Sequence, residues 1–307
     1  MWFKNLIIYR FTKPFTLGAD ALHARLQEKA FKPCGAHDRQ SYGWVAPIQV
    51  DGAEYVHSAN GYLMLCALRQ EKVLPAQVVN EALEEKLRDI REKDGRVPGR
   101  KERADLKEEL LFDLLPRAFT RSSRQYAYIA PREGWLVVNA ASHTRAEELL
   151  TFLRDTLGSL PVVPLASKQL PYQAMTGWLR QGAPEQFTLG GECELRDAAD
   201  EAASIRCRNQ DLLSEDIQNH LKAGMVTVKI ALSWQGGIDC VIDDKLGIKR
   251  LAFSDLIQEK AEEVHTDNAA EQFDVDFSIM TGEFARFIPA LVAALGGEDL
   301  SAIDEAA

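Results

Sequence analysis

Val226-Thr227-Val228-Lys229-Ile230-Ala231-Leu232-Ser233-Trp234-Gln235-Gly236-Gly237-Ile238-Asp239-Cys240-Val241-Ile242 is the stretch that decides the fold class. Its first seven residues alternate, so Val226, Val228, Ile230 and Leu232 face a core and Thr227 and Lys229 face outward. Gln235-Gly236-Gly237 has turn composition, and Ile238 to Ile242 returns beside the first strand; Gly247 to Phe253 supplies a further strand. Upstream, Phe187 to Leu195, bent at Gly190-Gly191, and Ala203 to Arg208 are strands. A short helix capped by Ser214 and closed by Gly224 follows them. Downstream, a helix starts at Ser254 and an apolar helix lies between about Thr281 and Leu295. The mixture of meanders and separate helices indicates an α+β fold.

The amino-terminal half has the same grammar. Trp2 to Phe11 is a strand, and Leu22, Leu26 and Ala30 mark a helix over Ala19 to Phe31. Tyr42 to Val50 and Glu54 to Leu68 are strands flanking the turn signal Asp51-Gly52, giving a βαββ opening. Pro75 begins a helix striped by Val78, Val79, Ala82, Leu83, Leu87 and Ile90 up to about Arg91. Residues 93–100 break it with Gly95, Pro98 and Gly99, and a second helix runs from Glu102 to Leu115. Strands return at Tyr126 to Ala130 and Trp135 to Ala140. Thr144 and Glu147 form a capping box for a helix to about Leu157. Gly158 to Leu165, with two prolines, reads as an extended connector. The expected architecture is α+β, with mixed and antiparallel sheets, separate helices and a projecting helical hairpin. It comprises three subdomains: residues 1–75 with 116–165, the hairpin 76–115, and residues 166–307.

Several chemistries have no sequence support. There is neither a GxxxxGK[ST] loop nor a GxGxxG between strand and helix, and GxSxG and HExxH are missing, so nucleotide hydrolysis and the familiar hydrolase machineries are not indicated. The five cysteines, Cys34, Cys66, Cys193, Cys207 and Cys240, stand singly and odd in number, which suits a reducing compartment. Cys34-Gly-Ala-His37 has one metal-like spacing without a second pair of ligands. Asp274-Val275-Asp276 would align two carboxylates if extended, as a metal-dependent nuclease needs, but an acidic strand face or a pair of turn and cap residues is the favoured reading. The opening Met1 to Arg10 lacks the basic start and cleavage site of a signal peptide, and no window reads as a membrane span. A soluble cytoplasmic protein without metal, cofactor or catalysis is expected.

The formal charge is −10, which by itself argues against a polyanionic partner. Its distribution weakens the objection. Residues 251–307 carry thirteen Asp and Glu against Lys260 and Arg286, leaving the other 250 residues at +1. Binding follows local potential more than the sum.

Three segments concentrate positive charge. Arg88 to Arg103 centres its surplus on Arg96, Arg100 and Lys101 at the hairpin tip, and a solvated, salt-bridged helix pair reads equally well there. Pro116 to Arg132 holds Arg117, Arg121, Arg124 and Arg132 with Phe119, Tyr126 and Tyr128 and no acid. That composition suits backbone contact and stacking, although the aromatics could serve the core instead. Arg206, Arg208, Asn209 and Gln210 lie at a strand end, with Lys229 and Lys249-Arg250 nearby in the meander; they suit a duplex backbone or an ordinary solvated strand face. No helix-turn-helix, RRM or zinc-finger order appears, so contact with phosphates is favoured over base reading.

These features meet in a family resemblance. MWFKNLIIYR opens the chain; LLPRAF stands at Leu114 to Phe119, LGSLPVVPL at Leu157 to Leu165 and RNQDL at Arg208 to Leu212. LSEDIQNHLKAG follows from Leu213, with KRLAFSD at Lys249 to Asp255 and MTGEFA at Met280 to Ala285. In number and order these blocks resemble the RdgC family. The resemblance implies a nucleoid-associated, non-specific double-stranded DNA-binding homodimer. Its subunits close head-to-head and tail-to-tail into a ring with a basic inner surface, restraining RecA-promoted recombination. It carries over Arg96, Phe119 and Gln210. Where relatives can place lysine this chain has Gly99, Asn209 and Met225, so Arg100, Arg208 and Lys229 are expected to supply the charge. The DNA-contacting set is then Arg96, Arg100, Lys101, Arg117, Phe119, Arg121, Arg124, Arg206, Arg208, Gln210 and Lys229. The alternative is an inhibitor acting mainly by direct contact with RecA, a further expected partner.

Overall fold

A computed structural model describes residues 1–50, 52–200, 202–264, 266 and 268–304. The first half runs β1 (Ile7–Phe11), α1 (Ala19–Glu28), β2 (Gln40–Val45), β3 (Val56–Ala59), β4 (Tyr62–Val73), α2 (Ala76–Asp94), α3 (Arg100–Leu114), a 3-10 turn at Leu115–Arg117, β5 (Phe119–Ala130), β6 (Trp135–Val138), α4 (His143–Leu157) and β7 (Val162–Pro164). The second runs α5 (Pro171–Gln181), β8 (Phe187–Asp197), β9 (Ser204–Arg208), α6 (Glu215–Lys222), β10 (Met225–Trp234), β11 (Ile238–Asp243), β12 (Ile248–Phe253), α7 (Asp255–Glu262) and α8 (Ala269–Ala294). The strands form two antiparallel sheets, so the fold is α+β.

Contacts divide the chain into a larger unit, residues 1–25, 46–65 and 126–307, and a smaller one, residues 26–45 and 66–125. In the larger unit β1 lies between β6 and β7, β6 also pairs the end of β5, and β3 pairs the start of β4. Its other sheet has the order β12-β11-β10-β8-β9. One core cluster joins the two: Ile8, Tyr128 and Val137 from the first sheet, Ile230, Leu232, Ile242 and Leu251 from the second, and Phe277, Met280, Phe284 and Phe287 of α8. By length and composition α8 could cross a membrane, but these four side chains are at most 1% exposed. Such burial marks the core helix of a folded domain. In the smaller unit β2 pairs residues 66–71 of β4. There α2 and α3 form the expected helical hairpin, with α2 closed by Gly95 in the left-handed conformation at φ 65°.

The structure corrects the sequence reading at several points. β2 and β3 each pair β4, so they are not a hairpin. Asp51 of the expected Asp51-Gly52 turn lies outside the described residues. The actual two-residue turn is Asn60-Gly61, at φ 52° and 85°, between the paired Ala59 and Tyr62. Positive φ at both central residues suits the right-handed twist of a hairpin, and Asn-Gly accepts it most easily. Ser142, not Thr144, caps α4 by accepting from the Arg145 N–H. The proline-rich connector contains β7, whose Val162–Pro164 pairs Tyr9–Phe11 at the edge of the sheet, where proline costs no interior ladder bond. α5 has no counterpart in the sequence reading. Thr227 is fully buried, not outward-facing, because the β8–β10 register shifts between Thr227 and Lys229 and turns both Thr227 and Val228 inward. Its amide donates to Thr176 Oγ1 of α5 at 2.9 Å.

Candidate nucleic-acid interface

β5 changes character along its length. Phe119 to Ser123 are exposed, Arg124 to Tyr126 half-buried, and Ala127 to Ala130 buried. The sequence reading started this strand at Tyr126; it begins seven residues earlier, with Arg121 in its exposed part and Arg124 where burial starts. Phe119 is 87% exposed, although covering such a ring is worth roughly 1.5–3 kcal/mol. Arg117 is exposed on the preceding turn, and Arg121, two positions beyond Phe119 on the same strand face, comes within 3.5 Å of Glu71 on β4. Arg124 points to the opposite face and reaches Cys66 Sγ at 3.9 Å. Tyr128 serves the core, as the alternative reading of this segment allowed.

At the hairpin turn Arg96 is held by Glu102 at 2.7 Å and Asp94 at 3.6 Å, and the Glu102 hydrogen bond raises its guanidinium pKa above the ordinary value. Arg103 reaches Glu84 at 2.9 Å and Lys86 reaches Glu109 at 3.1 Å, so part of this charge ties α2 to α3. Arg100 and Lys101 occupy the first turn of α3 and are exposed. Cations there oppose the helix dipole, so helix stability does not account for them.

The third set lies on the open face of the second sheet in the larger unit. Cross-strand register puts Arg206 of β9 opposite Glu194 of β8, Glu194 opposite Lys229 of β10, and Lys229 opposite Asp243 of β11. Lys249 of β12 closes on Asp243 at 2.8 Å. Charge therefore alternates laterally across five strands, the arrangement in which facing side chains attract. Glu194 is 8% exposed and receives Lys229 Nζ at 2.7 Å and Arg206 Nε at 3.1 Å. Burial pushes its carboxyl pKa up, but the Lys229 hydrogen bond and the charges of Lys229, Arg206 and Arg196 outweigh that and hold it below the ordinary value.

A second row joins Arg208, Glu192 and Arg250, with Nε–Oε1 3.7 Å and Nη2–Oε2 2.8 Å. Both rows line one concavity, floored in part by Cys193 and Val241. Gln210 lines the neighbouring hollow with Arg206, Arg208, Asn219 and His220. Asn209, left-handed at φ 53°, turns the chain there. Arg206 and Arg208 thus line both hollows, with Lys229 in the first and Gln210 in the second. What the sequence reading missed is that Glu192, Glu194 and Asp243 stand between these cations, and that Arg250 completes the second row.

The paired acids do not form the arrangement considered for metal. Asp274 and Asp276 lie on helix α8, about 200° apart around its axis at two-residue spacing. Asp274 meets His57 Nε2 at 3.1 Å, while Asp276 binds the amino-terminal ammonium group and Gln272. Cys34 and His37 are likewise occupied locally: the Cys34 thiol donates to the Gln70 carbonyl, and the His37 ring stacks on Phe112 at 3.9 Å.

A family model described as "Putative exonuclease, RdgC" matches residues 1–298. Curated relatives carry the description recombination-associated protein RdgC. The protein of Aeromonas hydrophila is 46% identical over 302 residues, covering 98% of this chain and 100% of the relative. That of Tolumonas auensis is 46% identical over 299 residues, covering 97% and 99%. A Pseudomonas putida protein is 45% identical over 302 residues, covering 98% and 99%. With similarity extending over almost the full length of both partners, the chain belongs to the RdgC family of recombination-associated proteins.

Proposed function

We propose that this protein binds double-stranded DNA through its phosphates without reading sequence. It does so as a cytoplasmic, nucleoid-associated homodimer closed into a ring, and it restrains RecA-promoted strand exchange by occupying the duplex. The role is binding, not catalysis. The observation that carries the reading is Phe119, 87% exposed beside Arg117 and Arg121 on a strand segment without acids. An apolar wedge flanked by guanidinium groups suits a phosphate backbone, with the ring available to press against a base step. The hairpin-tip cations and the sheet face add charge, and a dimer doubles every patch.

The test is a salt-titrated binding assay on linear and covalently closed duplexes of several sequences. Affinity should fall linearly in log-log form with salt and differ little among sequences of equal length. A closed ring should load less readily on a circle. Strong preference for one sequence at fixed salt rejects the reading.

A second reading, direct contact with RecA, draws on the charge of the two units. The smaller unit has 17 Lys and Arg against 14 Asp and Glu, a net of +3, so the larger unit carries −13 of the overall −10. It predicts that inhibition of strand exchange survives replacement of Arg117, Arg121 and Arg124 after DNA binding is lost.

A further inference from the structure

Arg250 stands at an irregularity of the second sheet. It lies in β12 with φ 50°, a left-handed backbone that L side chains rarely adopt. Around it the β11–β12 register shifts: Asp239 faces Ala252 but Val241 faces Lys249, so β12 carries an extra residue. Ile248, Leu251 and Phe253 are buried, a spacing of three and then two. A regular strand would send Lys249 and Arg250 to opposite faces. The bulge keeps Leu251 in the core and re-aims Arg250 onto the charged face with Lys249. Two further bonds fix it there: Asn5 Oδ1 accepts the Arg250 amide at 3.3 Å, and the guanidinium reaches Glu192 at 2.8 Å. Glu192 is itself placed by an irregularity, because between Ile230 and Leu232 of β10 the chain of β8 carries Gly190, Gly191 and Glu192 opposite Ala231 alone.

Two irregularities therefore converge on a carboxylate shared by two arginines. Arg250 remains 58% and Arg208 70% exposed, while Glu192 is 31% exposed. An exposed ion pair of this kind stabilises a fold very little; the bulge keeps Leu251 buried, but that needs no cation at position 250, so fold stability leaves the pairing of two arginines on Glu192 unexplained. A carboxylate between two guanidinium groups occupies the position a phosphate would take, since both anions accept the same forked donors.

We infer that Arg250 and Arg208 form a two-arginine clamp for a DNA phosphate, and that Glu192 fills this clamp in the free protein as an internal counter-ion that the phosphate displaces. The inference rests on the DNA-binding reading and adds a binding residue and a built-in brake to it. Glu192 sets the affinity of the face by competition.

The experiment measures binding of a labelled linear duplex by fluorescence anisotropy across a salt series, with wild type and the Arg250→Gln, Arg250→Gly and Glu192→Gln variants. Arg250→Gly accepts the left-handed backbone and so separates loss of the guanidinium from loss of the fold. Both Arg250 variants should weaken binding several-fold while lowering the salt slope by less than one, because the carboxylate that Arg250 leaves on binding takes up a cation of its own. Glu192→Gln, an isostere without charge, should tighten binding several-fold and steepen the slope. Weaker binding by Glu192→Gln would make Glu192 a positioning group and overturn the counter-ion role. Unchanged binding by both Arg250 variants, where Phe119→Ala still loses affinity, rejects the clamp and leaves the parent reading standing. If wild type shows no salt-dependent duplex binding, both fall.

Discussion

Replacing Arg250 by glycine should leave the protein more stable than replacing it by alanine, the reverse of the usual order in a strand. Both variants lose the contact with Glu192. Because Arg250 is 58% and Glu192 31% exposed, that contact contributes under about 1 kcal/mol, and it cancels in the comparison. What differs is the backbone. Alanine must hold φ near 50°, which costs an L residue about 1–2 kcal/mol. Glycine avoids that cost but has a freer unfolded chain, a penalty of roughly 0.5–1 kcal/mol. The difference favours glycine by about 0.5–1 kcal/mol. Two residues on, Ala252 pairs Asp239 in the regular part of the ladder, and there Ala252→Gly should lose roughly 0.5–1 kcal/mol. The assay is urea unfolding of the four proteins under one buffer, comparing midpoints at a common slope. A sign change between positions 250 and 252 is expected. If Arg250→Ala matches or exceeds Arg250→Gly in midpoint, the backbone at 250 is not strained, and the bulge does not hold the Arg250 side chain in place against a conformational cost.

Phe119→Ala should weaken duplex binding about tenfold, within the roughly 1–3 kcal/mol that stacking contributes per base. The salt slope should not change, because the ring carries no charge; a changed slope means the substitution has moved neighbouring arginines. Gly61→Ala, at φ 85° in the β3–β4 turn, should cost about 1–2 kcal/mol in unfolding free energy. Gly43→Ala should be more damaging still: a Cβ there would stand 2.3 Å from the Phe31 Cα. That would force apart the pairing in which the Phe31 N–H meets the Trp44 carbonyl at 2.8 Å, and the cost of such overpacking is about 1–3 kcal/mol. Both are read from denaturation midpoints. Burial holds the His57 pKa below its ordinary 6.5, with Asp274 opposing. The unfolded chain then takes up the proton first, so this contribution is complete above pH 6.5 and declines as pH falls through the folded value. His57→Leu should flatten that limb of the stability curve; an unaltered limb assigns it to other groups.

The meander of β10, β11 and β12, the helical hairpin and the acid-free segment were legible because each rests on a local signal: alternation, a helical stripe with a terminal glycine, or composition. The second-sheet charge pattern was not. Glu192, Glu194, Arg206 and Lys229 are spread over 38 residues of sequence, and their alternation arises only when register sets β9, β8 and β10 side by side. Asp274-Val275-Asp276 misled for a related reason: three residues cannot distinguish a strand from the interior of α8, whose stripe of Phe277, Met280, Phe284 and Phe287 lies further on. α5 was hidden because its Pro171 start and Gly177 resemble loop composition, while Ala174, Met175, Trp178 and Leu179 form a buried helical face. One missed feature did leave a trace. In Ile248-Lys249-Arg250-Leu251-Ala252-Phe253 two adjacent charges interrupt the alternation, and a three-residue step between buried positions is what a bulge produces.

That trace bears on how a chain of net charge −10 would hold the polyanion proposed for it. When a phosphate takes an arginine from open solution, the DNA loses a condensed cation and the salt dependence records it. When it takes Arg250 or Arg208 from Glu192, the released carboxylate attracts a cation of its own, and the two exchanges offset. The slope should therefore count cations without an internal acid, such as Arg117 on its exposed turn, and undercount those on the sheet face. Wild type would then show a shallower slope than its basic contacts imply, with affinity less sensitive to ionic strength than that of an unpaired basic surface. Removing one carboxylate at Glu192 should restore the missing count, and on the proposed reading the acids would then tune binding and not oppose it.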